Sequence, residues 1–198
     1  MFYVFPKVIK PDVCERIVSE YKKSNLKKAS VLNLDKTQRE NPNGRRANIH
    51  FITNKDNEAT AIAWHFLREA NKIQFNYDIE YFQPAQFAEY RAKEGGFQDW
   101  HQDDSAVYGT EMWDGIRKLS LSLILSDPNT FEGGELQFYN GGKSLDDMHE
   151  VTGEQIQSDI KAQGSIIVFD SRDWHRVSPM VSGTRYSLVC WCVGPNFK

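Results

Sequence analysis

Long hydrophobic runs are missing from this sequence. No stretch approaches 18 uninterrupted apolar residues, so there is no candidate membrane span. Cysteine is scarce: Cys14, Cys190 and Cys192 are the only three in 198 residues, too small and too odd a set for a disulfide framework. Cys190 and Cys192 are two apart in an apolar run; on a strand they would share a face about 7 Å apart, a poor geometry for a bridge. All three read as reduced core residues, which points to a reducing, cytoplasmic compartment. Neither sign of charge is in excess. Against 27 Asp and Glu stand 24 Lys and Arg, a net charge of −3 with a pI near 6.0, so no global basic field gathers nucleic acid. The apolar start MFYVFPKVIKP is broken by Pro6 and Lys7 before a secretory segment forms. Repeats and low-complexity stretches are also lacking. A 40% apolar and 26% charged composition excludes a disordered tail, a collagen and a coiled coil.

What is present fits one domain over 1–198, long enough to bury about 70% of its unfolded surface. The N-terminal third reads as helical support over about 1–78. Pro11-Asp12 opens a helix whose Cys14, Ile17, Val18 and Tyr21 fall on one side. A second helix is expected over about Asn57 to Ile73, with Ile62, Phe66, Ala70 and Ile73 buried. The polar segment between them, Lys27 to Arg46, reads as a long loop. A β core follows over about 79–194. Leu119, Leu121, Leu123 and Leu125 alternate with Ser120, Ser122, Ile124 and Ser126, and short apolar runs to Val193 are punctuated by Gly133-Gly134, Gly141-Gly142, Gly164 and Gly183. Short strands with glycine turns predict an antiparallel sandwich or barrel, so the fold class is α+β and mainly β.

Three features carry chemistry. In Trp100-His101-Gln102-Asp103-Asp104, His101 and Asp103 would share one side of a strand, placing an imidazole beside a carboxylate. Asp104 would replace Asp103 only in a loop. His175 lies 72 residues beyond Asp103 (175 − 103), after a polar turn. Two histidines and a carboxylate bind one side of Fe(II) and leave open positions, and zinc competes for the same set. Arg185 is the third feature. In a strand frame Arg185, Ser187, Val189 and Trp191 share one side, and Tyr186, Leu188, Cys190 and Cys192 the other. An inward guanidinium needs an anionic partner, which it grips bidentately.

The run His101-x-Asp103 … His175-x9-Arg185-x-Ser187 resembles the Fe(II)/2-oxoglutarate-dependent oxygenases, and within them the prolyl 4-hydroxylase-like branch. The resemblance covers about Phe87 to Trp191. It includes Tyr90, the turn Glu132-Gly133-Gly134-Glu135-Leu136, Gly164-Ser165 and His175-Arg176-Val177-Ser178-Pro179. It implies a distorted double-stranded β-helix (jelly-roll, cupin-like) of eight antiparallel strands in two sheets, with flanking N-terminal helices. It implies His101, Asp103 and His175 as catalytic iron ligands. Arg185, helped by Ser187, would hold the far carboxylate of 2-oxoglutarate, with Tyr90 against the cosubstrate and Trp191 lining the pocket. The cofactors implied are Fe(II), with 2-oxoglutarate and O2 as cosubstrates and ascorbate as reductant. The activity implied is hydroxylation with release of succinate and CO2.

Asp103 leaves no vacant halide position, unlike the related halogenases. Trp191 stands six residues after Arg185, where the nucleic-acid demethylases of the superfamily carry a second arginine. Lys22, Lys23, Lys27 and Lys28 read as a solvated helix end rather than a phosphate patch. His50, His65 and His149 are not expected to bind metal. Trp100, Tyr108, Trp113 and Tyr139 are candidates for an aromatic cluster around the site, with Ser105 to Gly115 as a lid. The substrate expected is a prolyl residue of a peptide or protein. The alternatives are a free amino acid or other small metabolite, and a non-catalytic cupin-type barrel holding a metal or ligand.

Overall fold

The alternation in Ile116–Ile124 and Met180–Gly194 sets the frame of the molecule. The computed structural model describes residues 2–29, 31–32, 38–39, 42–54, 56–104, 115–139 and 154–197, with the backbone alone at 31–32, 38–39 and 154–157. In chain order the strands are β1 (Phe2–Phe5), β2 (Lys27–Lys28), β3 (Val31–Leu32), β4 (Gln38–Arg39), β5 (Arg45–Arg46), β6 (Asn48–Ile52), β7 (Tyr81–Phe82), β8 (Ala85–Arg91), β9 (Phe97–His101), β10 (Ile116–Ile124), β11 (Phe131–Gly133), β12 (Leu136–Phe138), β13 (Ile166–Asp170), β14 (His175–Val177) and β15 (Met180–Gly194). The helices are α1 (Pro11–Tyr21), α2 (Glu58–Ala70) and α3 (Glu154–Lys161).

The large sheet runs β1-β13-β10-β15-β8-β6-β2, with β7 and β11 also paired to β15. A smaller sheet runs β12-β14-β9-β5, and β3 and β4 form a separate hairpin. Every pairing in the two main sheets is antiparallel. The two sheets form the expected double-stranded β-helix.

Helices α1 and α2 pack on the outer side of the large sheet. Cys14, Ile17 and Tyr21 from α1, and Ala59, Ala63 and Leu67 from α2, meet Leu119, Leu121, Leu123, Leu188, Cys190 and Cys192 in one cluster. All three cysteines are free and buried. Burial pushes the Cys14 thiol up to about 11 and those of Cys190 and Cys192 up to about 12, which keeps them protonated and inert. The inner side of the same strands closes on the small sheet through two further clusters. One is built around Ala88, Tyr90, Val177 and Met180, the other around Ile124, Phe138, Ile167 and Phe169.

The N-terminal third supplies more than helical support. β1 pairs with β13, and β6 extends the sheet beyond β8. The 27–46 segment is not only loop, since it contributes β2, the β3–β4 hairpin and β5. Asn57 caps α2 by accepting from Thr60 N at 2.9 Å. Its buried side is Ala59, Thr60, Ala63, Leu67 and Ala70, so of the expected stripe only Ala70 is fully buried. Ile62 and Phe66 only flank this core, and Ile73 is 54% exposed. Small residues let α2 approach the sheet closely. A π turn over Asn71–Phe75 rotates Ile73 out of the helix frame. No helix among the described residues is long and apolar enough to cross a membrane.

Candidate metal centre and cosubstrate pocket

Strands β9 and β14 of the small sheet pair with His175 opposite His101, which sets the two imidazoles side by side with ring centroids 4.1 Å apart. Asp103 completes the set. The three ligand atoms lie within 4.8 Å of one another. His101 Nε2 is 3.8 Å from Asp103 Oδ1, and His175 Nε2 is 3.5 Å from Oδ2. Asp103 does not share a strand with His101 as expected, because β9 ends at His101. It arrives from a bend fixed by the 170–173 turn, where Ser171 O accepts from Asp103 N at 2.8 Å and from Asp104 N at 3.0 Å. Asp104 is not in the cluster.

Second partners fix the donor atoms. His101 Nδ1 is 2.7 Å from Asp99 O and His175 Nδ1 is 2.9 Å from Asp173 O. A carbonyl can only accept, so both Nδ1 atoms carry the proton and both Nε2 lone pairs face the cluster. Phe169 packs edge-on against His175 at 4.6 Å. Ser120 donates to Asp103 Oδ2 at 2.7 Å and shares a hydrogen bond with Ser171 at 2.9 Å. Burial works to raise the Asp103 carboxyl, but His175, His101 and Arg117 outweigh it and hold the acid well below the usual carboxylate range. Burial, then repulsion from His175, brings His101 down to about 4, so its imidazole is neutral at pH 7. A buried ionised carboxylate beside two imidazoles that turn Nε2 toward it is a donor set that fits Fe(II).

Gln98 links this set to the neighbouring pocket. Its carboxamide nitrogen donates to His101 Nε2 at 2.7 Å, and its oxygen accepts from Tyr90 Oη at 3.1 Å. Tyr90 lies opposite Arg185 in the β8–β15 register, and the guanidinium sits 5.6 Å from its ring centroid. Arg185 is 2% exposed and donates to Ser187 Oγ at 3.2 Å. No carboxylate of the described residues lies within 4.0 Å of it. Burial weakens its hold on the proton, opposed only by Tyr90 and Glu135. A buried guanidinium is costly until an anion meets it, so the residues fit the far carboxylate of a keto diacid. Gly134 makes room for this arginine. At φ +65° it takes a left-handed conformation, and a Cβ there would fall 3.0 Å from Arg185 Cδ and 2.5 Å from Met180 Sδ.

Trp191 is 6% exposed and its indole Nε1 is buried without a hydrogen-bond partner among the described residues, directed toward Asp103. The Arg117 guanidinium lies 4.1 Å over its ring, and Arg117 Nε donates to Gln83 Oε1 at 2.8 Å. His101, Asp103 and His175 form one cluster, and contacts through Gln98 and Tyr90 lead from it to Arg185 and Ser187, while Trp191 lies on the Asp103 side. The structure adds Ser120, Ser171, Gln98 and Arg117, which sequence reasoning missed. Only the inward phase of Ser120 in a leucine-rich strand pointed to any of them.

The expected aromatic cluster changes. Trp100 is one residue from His101 on β9, so it points to the opposite side, where Arg176 lies 4.7 Å over its ring. Tyr108, Trp113, His149 and most of the 105–115 lid fall outside the described residues. His50 stacks on Tyr21 and His65 is exposed on α2, away from the cluster.

The profile of the 2OG-Fe(II) oxygenase superfamily matches residues 85–193, which hold the whole cluster and Arg185. A PKHD-type hydroxylase of Shewanella sp. (strain MR-7) is 33% identical over 113 residues, 56% of this chain and 42% of the relative. The chain spans about two fifths of the length of the curated relatives it matches. Among solved structures, a Pseudomonas putida prolyl-4-hydroxylase superposes with TM-score 0.68 at 21% identity, covering 98% of this chain and 92% of that one. A Trichoplax adhaerens prolyl hydroxylase, solved with a hypoxia inducible factor oxygen degradation domain peptide fragment, gives TM-score 0.67 at 16% identity, covering 97% and 83%.

Proposed function

The chain belongs to the 2OG-Fe(II) oxygenase superfamily, and from that premise we propose that it is an Fe(II)- and 2-oxoglutarate-dependent hydroxylase acting on prolyl residues of a peptide or protein. One observation carries it: the His101, Asp103, His175 cluster is joined through Gln98 and Tyr90 to a buried Arg185 that meets no described carboxylate. The metal explains the first and the cosubstrate the second. The fold of prolyl hydroxylases and the PKHD-type relatives support the substrate class.

In this mechanism His101 and His175 would hold the metal through Nε2, since Nδ1 of each is tied to a backbone carbonyl. Asp103 supplies the anionic ligand, and Ser120 occupies one lone pair of Oδ2, which orients the carboxylate. Gln98 would have to give up its hydrogen bond to His101 Nε2 for that nitrogen to serve as a ligand. Arg185 and Ser187 receive the far carboxylate of 2-oxoglutarate, with Tyr90 packed beside the guanidinium. Fe(II) with 2-oxoglutarate and O2 supplies the oxidising chemistry, in which oxidative decarboxylation to succinate and CO2 accompanies hydroxylation of a C–H bond. Trp191 and Arg117 form the wall by which the chain positions that bond. Ascorbate serves as reductant, and the three inert thiols suit a cytoplasmic setting.

The test is succinate formation by the purified protein with Fe(II), ascorbate and 2-oxoglutarate, with and without proline-containing peptides. Peptide-stimulated succinate, with one oxygen atom added to the peptide, is the expected result. Succinate that ignores peptides would move the substrate to a free amino acid or other metabolite. No succinate from iron-loaded protein would favour a cupin-type binding barrel.

A further inference from the structure

Beside the metal centre lies a cavity of about 190 Å³ that the chemistry above does not use. Lys28, Pro42, Arg45, Arg46 and Glu94 line it, with Ala29 and Ala47 between them. Three cations thus face one anion, and that anion is already engaged. Glu94 bonds Lys28 at 2.6 Å and Arg91 at 3.0 Å, and accepts from Asn48. Lys28 is therefore on a strand and paired, not part of a solvated helix end. Neither Arg45 nor Arg46 has a carboxylate of the described residues within 4.0 Å. Arg46 spends its Nε on Pro42 O at 2.8 Å. Arg45 donates Nη2 to Gln86 Oε1 at 2.8 Å, and its Nε is buried with no partner among the described residues. Each guanidinium thus keeps N–H groups that no described carboxylate meets, and a carboxylate entering the cleft would supply that acceptor.

The position of the cavity links it to the reaction. Arg45 and Arg46 form β5, which pairs with β9 so that Arg45 lies opposite Gln98 and Arg46 opposite Phe97. β9 ends at His101, three residues beyond Gln98. Three residues along a strand and one strand spacing across give about 11 Å. We propose that this cleft binds an acidic side chain of the polypeptide substrate, about three or four residues along the chain from the residue presented to the triad. Arg45 and Arg46 are the specificity determinants. The inference rests on the hydroxylase function proposed above and deepens it.

Fluorescence anisotropy on the full chain, with Fe(II) and 2-oxoglutarate under anaerobic conditions, tests this directly. The probes are labelled twelve-residue peptides with one central proline and a single Glu placed one to five positions away, with Gln at that position as control. The Glu peptide with the matching offset should bind about tenfold tighter than its Gln control, the scale of one charge-assisted hydrogen bond. That advantage should fall with added salt and vanish in Arg45→Gln/Arg46→Gln, while the Gln control binds the variant as before. The single variant Arg46→Gln, at an exposed position, should lose part of it. Equal binding of Glu and Gln peptides at every offset would overturn the proposal. So would displacement of the Glu peptide by free glutarate as readily as by unlabelled peptide, since the site would then take small dicarboxylates. Selective binding without turnover of any peptide would uphold the cleft and overturn the hydroxylase function instead.

Discussion

The two sides of the large sheet are made from alternate residues of the same strands, yet they are built for different ends. On the outer side, Leu119, Leu121, Leu123, Leu188, Cys190 and Cys192 are fully buried against α1 and α2. On the inner side, the intervening Ser120, Ser122, Ser187 and Arg185 are buried nearly as deeply, but they are polar and face the small sheet. Burying an apolar side chain contributes about 1.5–3 kcal/mol, whereas burying a polar group costs free energy until it is satisfied. The outer side therefore holds the fold, and the inner side stores binding sites whose cost it offsets.

Substitutions should separate the two sides. The largest effect belongs to Asp103→Ala, which should leave no measurable succinate and weakened iron binding while the melting temperature holds. Arg185→Met comes next. It should raise the 2-oxoglutarate concentration for half-maximal rate by about 30- to 4,000-fold, the loss of about 2–5 kcal/mol for a buried charged partner. Iron should stay bound, and the protein without cosubstrate should melt at the same or a higher temperature, because an unpaired buried cation is gone. A lower melting temperature in that variant would mean Arg185 is already satisfied and the comparison of sides is wrong.

On the outer side, Leu121→Ala should destabilise by about 2–5 kcal/mol in denaturant titrations and leave the 2-oxoglutarate requirement of the folded fraction unchanged. Ser120→Ala, one residue away and inward, should do the reverse, with a fall of about 10- to 100-fold in iron affinity by competition with a chelator and a small change in stability. The smallest effect is on pH dependence. His101 is held at about 4 in the folded protein, against 6.5 for an ordinary imidazole. Between those values the unfolded chain binds the proton and the folded chain does not, so stability is full above pH 6.5 and declines as pH falls toward 4. His101→Gln should flatten that decline in metal-free protein, measured as unfolding free energy at a series of pH values.

Legibility in the sequence followed the range of the interaction. His101, Asp103, His175 and Arg185 carry spacings that point to metal and anion chemistry; the first three converge in one cluster, and Arg185 lies next to Tyr90, which Gln98 ties to His101. Asp103 converges for a reason the spacing did not contain, because its bend is pinned by Ser171, 68 residues away (171 − 103). On α2 the expectation holds at Ala70 and fails at Ile62, Phe66 and Ile73, because Ala59 and Ala63 carry little weight in a hydrophobic pattern. Smallness is what packs that helix against the sheet. Trp100 was misassigned because its aromatic character outweighed its phase, one residue out of step with His101. Gln98, Ser120 and Arg117 have no local signature, since their partners lie on other strands or beyond a turn.

By itself the sequence determined the fold class, the absence of a disulfide framework and the chemical types of the candidate donor groups. These depend on periodicity, composition and chemical type, which are local properties. Tertiary structure alone decided which nitrogen of each histidine faces the cluster, which oxygen of Asp103 is already engaged, and that Arg185 and Arg45 each keep an unmet need for an anion. Those are outcomes of pairing β9 with β14 and β5 and of closing one sheet over the other. Hydrogen bonds and desolvation act over a few ångströms in space, so only the assembled sheets fix them.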